Sequence, residues 1–353
     1  MNEQVTLLRQ PPYWRRLLRV EASGIRTAAA AVLPFLLGQL LGYPVIGLMI
    51  GLGGLYLAVV DKEVATLASL LIAIGCNAVA ALAGAWIGNH ALPAIIAMAI
   101  WAFAAGMMSA YGDIASQIGF IATIVFAVAL GQPASLNADL VRMIEFTIGG
   151  LWGVMLTLLL WRFQRAMDGP AEQTETDAPD SSDDAVKPGL IERFTSNLTF
   201  GSIIFRHALR LSIAATIAIA LDKGLQLERG YWLIITVLVI VKPIFADTRR
   251  RAIERVVGSI VGGTVAALLV AAIHNAAILD VLLLAFSVLA YSHVRNNYGF
   301  FMLFLTPFVV LMIDIVEPSN WHIALLRIVD TTIGGAIALT VAYLLRPRSA
   351  FRW

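Results

Sequence analysis

The chain has little charge for its 353 residues. Asp, Glu, Lys and Arg make up 14% of it, against 59% hydrophobic residues and a mean hydropathy of +0.82. Soluble domains carry about a quarter charged residues, so this shortage excludes a soluble globular protein. There is one cysteine, Cys76, and a single thiol in an apolar run forms no intrachain disulfide. No Walker-type phosphate loop, no HExxH and no close Cys/His cluster is present, and the histidines at 90, 207, 274, 293 and 322 are scattered. Neither an ATPase nor a metal enzyme is supported, so no catalytic role, cofactor or metal is expected. The apolar runs are continuous and do not alternate, which excludes a transmembrane β-barrel.

What the chain does have is long apolar runs. A helix of about 20 apolar residues crosses a roughly 30 Å hydrocarbon core, and about twelve such spans are predicted, at roughly 24–42, 45–60, 64–88, 92–108, 114–131, 140–161, 206–222, 231–246, 250–273, 277–293, 297–316 and 322–345. The fold class is therefore an all-α membrane protein. The second and eighth spans are short and abut Pro44 and Pro243, which predicts broken or tilted segments held among neighbours. The N-terminal "WRRLLR" before an apolar run mimics a secretory signal, yet that run has a counterpart later in the chain and is read as the first span.

The counterpart belongs to a duplication. "RMIEFTIGG" at 142–150 matches "RIVDTTIGG" at 327–335, so that Arg142 falls on Arg327 and Glu145 on Asp330. "AVAAL" at 78–82 parallels "TVAAL" at 264–268, which also places Asp61 on Asp247, and Arg26 opens the first span as Arg210 opens the seventh. Two six-helix repeats, 1–165 and 196–353, flank an acidic stretch rich in Ser, Thr and Pro, which is predicted to be a disordered linker over 166–195. An even number of spans per copy makes the repeats parallel, with the site expected where they meet.

Assigning alternate loops to opposite sides puts all but four of the 25 Lys and Arg on the side of the N-terminus; the four are Arg142, Lys223, Arg229 and Arg327. By the positive-inside rule that side is cytoplasmic, as are both termini. The cluster "KPIFADTRRRAIER" at 242–255 lies there, with Lys242, Arg249, Arg250, Arg251 and Arg255. It reads either as a topology anchor on anionic lipid or as an electropositive vestibule for anions. Arg142 and Arg327 lie inside their spans on the opposite side, where a cation is costly unless it snorkels, pairs or faces water. Glu145 and Asp330, three residues on, are placed to pair with them; each pair is either a packing device or a hydrated site in which the arginine holds a carboxylate and the acid moves a proton. Gly149, Gly150, Gly334, Gly335, Gly258 and Gly262 are read as close helix contacts. Asp61 and Asp247 are read as caps of the helices that follow, and Tyr231 and Trp232 as members of an interfacial aromatic belt that could also stack on an aromatic substrate.

"YWLIITVLVIVKPIFADTRRRAIERVVGSIVGG" at 231–263, through Tyr231, Trp232, Thr236, Pro243, Thr248, Arg249 to Arg251, Arg255, Gly258 and Gly262, resembles the signature of the fusaric acid resistance family of the aromatic acid exporter superfamily. The closing "R..[ED].TIGG" of each half resembles that family too. The resemblance implies a bacterial inner-membrane exporter of aromatic carboxylic acids or related organic anions. The chain departs from it at Lys242, where an uncharged polar residue is expected, and in its short central linker. The basic cluster is not duplicated, so any vestibule is lopsided.

The function read from the sequence is thus a secondary transporter exporting organic anions. Arg142, Arg327, Lys242, Arg249, Arg250, Arg251 and Arg255 would hold the substrate, and Glu145 and Asp330 would serve charge pairing or proton coupling. A passive anion channel and a non-transporting membrane scaffold are the alternatives. Small organic anions and membrane lipid are the expected partners, no nucleic acid is expected, and a homodimer stays open.

Overall fold

A computed structural model describes residues 21–58, 66–167, 189–294, 296–316 and 322–346. The described residues are helical, without strands. The helices are α1 (Ala22–Leu40), α2 (Pro44–Ala58), α3 (Leu67–Ile87), α4 (Ala91–Met107), α5 (Asp113–Gly131), α6 (Leu136–Met167), α7 (Leu190–Asn197), α8 (Ile203–Leu225), α9 (Tyr231–Ile240), α10 (Phe245–Ala272), α11 (Ala276–His293), α12 (Tyr298–Val316) and α13 (His322–Leu344). Ten of them are long and apolar enough to cross a membrane, which makes this a multi-pass membrane protein. The second and eighth of the twelve expected spans are apolar but only 15 and 10 residues long, as α2 and α9.

The shortness of α9 has a local cause. Lys242 precedes Pro243, which lacks an N–H and disfavours the helical conformation in the residue before it. Lys242 accordingly lies outside the helix, which ends with Val241 already extended, and α10 restarts at Phe245. Thr248 closes the break from the next turn: its Oγ1 accepts the Lys242 amide at 3.0 Å and lies 3.2 Å from the Ile244 carbonyl. Asp247, expected as the cap, instead stands exposed in the first turn of α10, and no side chain caps that helix at Ile244. Its counterpart Asp61 lies outside the described residues. Side chains do cap α3 and α11: Thr66 Oγ1 accepts the Ser69 amide at 3.2 Å, and Asn275 Oδ1 accepts the Ala277 amide at 3.0 Å.

Glycines make several of the closest helix contacts. A Cβ on Gly149 of α6 would collide with the Ile50 carbonyl of α2, and one on Gly334 of α13 would lie 2.9 Å from the Leu233 carbonyl of α9. Gly258 and Gly262 bring α10 onto Met302 and Leu303 of α12 in the same way. Glycine permits this close approach because lipid supplies no hydrophobic drive between helices and backbone contact must substitute for it. Helix α1 packs on α2 and α11, whereas α8 packs on α9 and α4; α2 lies on α6, and α9 on α13. Arg26 and Arg210 are buried at the starts of α1 and α8, with Arg26 donating to the Ala58 carbonyl at the end of α2.

Most of the expected linker, 168–188, lies outside the described residues. Its last residues from Leu190 are helical, in α7.

Candidate functional site

Helices α9, α10, α12 and α13 converge on two buried arginines. Arg255 of α10 is 4% exposed; its Nε donates to Thr236 Oγ1 on α9 at 3.1 Å, and its Nη1 donates to the Tyr298 hydroxyl at 3.2 Å and lies 3.3 Å from Met302 Sδ. Arg327 of α13 is 3% exposed, with its guanidinium 4.2 Å from the centroid of the Trp232 ring on α9. Among the described residues its Nε and Nη1 have no hydrogen-bond partner, and neither has Trp232 Nε1. The groups acting electrostatically on Arg327 are Arg255 and the phenols of Tyr231, Tyr291 and Tyr298. Among the described residues no carboxylate lies within 4.0 Å of either arginine. Two like charges therefore share a buried region with aromatic rings and, among the described residues, no carboxylate at ion-pair distance, although an unpaired buried ion carries a desolvation penalty of several kcal/mol.

The basic cluster leads toward this pair. Arg251, one helical turn before Arg255, stacks on Tyr298 at 4.0 Å from the ring centroid, on the same tyrosine whose hydroxyl meets Arg255. Arg249 is exposed, and Arg250 is held by Glu254 at 2.8 Å. Lys242, in the break between α9 and α10, belongs to a separate cavity with α4, α5 and α8.

The acid partners expected from spacing are not the ones found. Arg142 donates through Nη1 to the Gln132 carbonyl at 2.7 Å and lies 3.5 Å from Asp139 Oδ1, three residues before it, while 41% of its side chain is exposed. No ion pair joins Arg142 to Glu145 or Arg327 to Asp330. Arg142 instead leans onto the preceding turn, toward Gln132 and Asp139, a direction that the tilt of helical side chains favours, and Arg327 turns to Trp232 of α9. Glu145 is left partly buried on α6, and Arg142 and Arg327, which share one sequence position, sit in unlike surroundings. Asp330 is 4% exposed with Oδ2 unpartnered, and its charged neighbour is Asp222 near the end of α8, itself 6% exposed. Asp222 was readable in the sequence as an acid inside an apolar span. Tyr231 lies buried instead of at an interface, and Trp232 faces Arg327.

Ten helices long and apolar enough to span a membrane, among the described residues, surround this internal polar cluster. Residues 213–341, from α8 to α13, match the fusaric acid resistance protein-like family. The matched stretch includes Arg255, Arg327 and the whole basic cluster. Among curated relatives, an uncharacterized protein of Haemophilus influenzae is 33% identical over 150 residues, covering 42% of this chain and 21% of the relative. The inner membrane protein YccS of Escherichia coli K12 is 26% identical over 215 residues, covering 61% of this chain and 30% of the relative. The uncharacterized transporter YdhK of Salmonella typhimurium is 28% identical over 139 residues, covering 37% and 20%. The chain thus spans between a fifth and a third of the length of these relatives. No solved structure matches it significantly.

Proposed function

We propose that the chain is an inner-membrane secondary transporter that exports aromatic carboxylates or related organic anions. The observation that carries this reading is the Arg255–Arg327 pair, buried among Trp232, Tyr231, Tyr291 and Tyr298 without a counterion. A carboxylate there gains charge-assisted hydrogen bonds from the unpaired Arg327 nitrogens, and the aromatic rings around it suit a substrate with an aromatic body.

The positive-inside distribution places the basic cluster at the cytoplasmic face, along with both termini. Arg249, Arg250 and Arg251 raise the local concentration of anions, and Arg251 passes them one turn along α10 to Arg255. Asp330 and Asp222, both buried inside their spans, are the acids available to carry a proton. The two halves act as related repeats. In support, the first helix of each half packs on the fourth of the other, α1 on α11 and α8 on α4.

Flux of radiolabelled benzoate into proteoliposomes tests this reading. Uphill movement driven by a pH gradient and abolished by a protonophore is the expected result. Purely downhill flux makes the protein a channel, and no flux of any aromatic or aliphatic carboxylate contradicts transport.

A further inference from the structure

A cavity of about 200 Å³ lies where α4 and α5 meet α8 and α9, and it shares no residue with the Arg255–Arg327 pair. Its wall is part apolar, from Phe120, Leu211 and Leu238, and part uncharged polar, from Ser116, Gln117 and Thr123; Lys242 and His207 also line it, and no acidic residue does. Lys242 Nζ makes no hydrogen bond or ion pair among the described residues and stands 5.6 Å from the centroid of the Phe120 ring. The Nδ1 of His207 is buried without a partner. The charged groups acting on these two residues are Arg210, Arg251 and Asp247, together with Lys242 itself acting on His207. The surroundings are therefore net cationic, with one exposed carboxylate against three cations.

The structure assigns a second anion site to this cavity, in which Lys242 Nζ and His207 Nδ1 take the carboxylate of a small aromatic monocarboxylate and Phe120 faces its ring. Size fixes the class. A dry cavity of about 150 Å³ admits one benzene ring, so the volume here admits a ring with its carboxylate. Drug-sized ligands need roughly 300 Å³ or more. The apolar part of the wall around Phe120 disfavours inorganic anions, which leave it uncovered, and the lysine disfavours neutral isosteres, which leave a desolvated ammonium without a counterion. Because α4 and α5 come from the first half of the chain and α8 and α9 from the second, an occupant bridges the two. The site is a statement about binding and stands whether or not the protein transports.

Equilibrium binding of radiolabelled benzoate to the purified full chain in detergent tests the assignment. In the Arg255→Gln/Arg327→Gln double variant one saturable site per chain is expected to remain, displaced by benzoate but not by benzyl alcohol or inorganic phosphate. Adding Lys242→Gln to that double variant is expected to weaken the remaining site at least tenfold, whereas Lys242→Arg retains it and Phe120→Trp, which fills the cavity, removes it. Lys242→Gln in the otherwise unchanged protein should keep the Arg255–Arg327 binding, which reports that the variant folds. Benzoate binding that is indifferent to both Lys242→Gln and Phe120→Trp, or displaced equally by benzyl alcohol, overturns the assignment.

Discussion

Replacing Arg327 by Met separates a charge kept for a ligand from a charge kept for the fold. In the ligand-free protein the guanidinium is 3% exposed, has two nitrogens without partners and has Arg255 as a like-charged neighbour. Its desolvation costs several kcal/mol, against which the Trp232 face returns about 2 kcal/mol. Methionine fills a similar volume without that penalty, so Arg327→Met is expected to be more stable than the parent by about 1–4 kcal/mol, the range seen when buried ionic groups give way to apolar ones. Thermal unfolding in detergent reads this as a midpoint higher by a few degrees. Anion binding moves the other way. At an anion concentration about 100 times its dissociation constant the parent gains about 2.7 kcal/mol, and the variant is expected to lose that gain when both are measured in a Lys242→Gln background. A lower midpoint for Arg327→Met combined with an undiminished response to benzoate would refute the reasoning, because the arginine would then be holding helices and not substrate.

Other substitutions probe the same geometry. Gly334→Ala puts a Cβ 2.9 Å from the Leu233 carbonyl and from Thr236, so it should shift α9 away from α13, cost about 1–3 kcal/mol and lower benzoate flux. Gly335→Ala meets only the Val256 side chain at 3.3 Å and should cost less, as the two melting midpoints will show. Arg142→Gln removes a half-exposed side chain and should change stability by less than about 1 kcal/mol with flux retained; loss of flux would mean that both repeats contribute to the site. Arg251→Gln should slow the initial rate of flux at low ionic strength and match the parent near 0.5 M salt, where the Debye length is only about 4–5 Å.

Hydropathy and length made the spanning helices legible, and Pro44 and Pro243 marked the two that fall short. Hydropathy reads composition over a window, and composition is what a bilayer constrains most strongly. The arginines were legible as well, since a cation inside an apolar run stands out whatever its neighbours. Their partners were not. Spacing of three residues places Arg327 and Asp330 on one face of α13 but does not say which way each side chain leans, and the stacking of Arg327 on Trp232 and the approach of Asp222 to Asp330 depend on how α8, α9 and α13 pack. The contrast between Arg142 and Arg327 was hidden for the same reason, as one motif sits half in the open on α6 and wholly enclosed on α13. The cavity at His207 and Lys242 joins residues from four helices, and no local pattern announces it.

The most direct measurement is a structure of the protein with para-bromobenzoate, whose bromine can be located independently of the surrounding density. The account predicts a carboxylate between the guanidiniums of Arg255 and Arg327, with the bromine among Tyr231, Trp232, Tyr291 and Tyr298. Those arginines remaining unliganded under saturating para-bromobenzoate, in protein that still carries it across liposomes, would contradict the account.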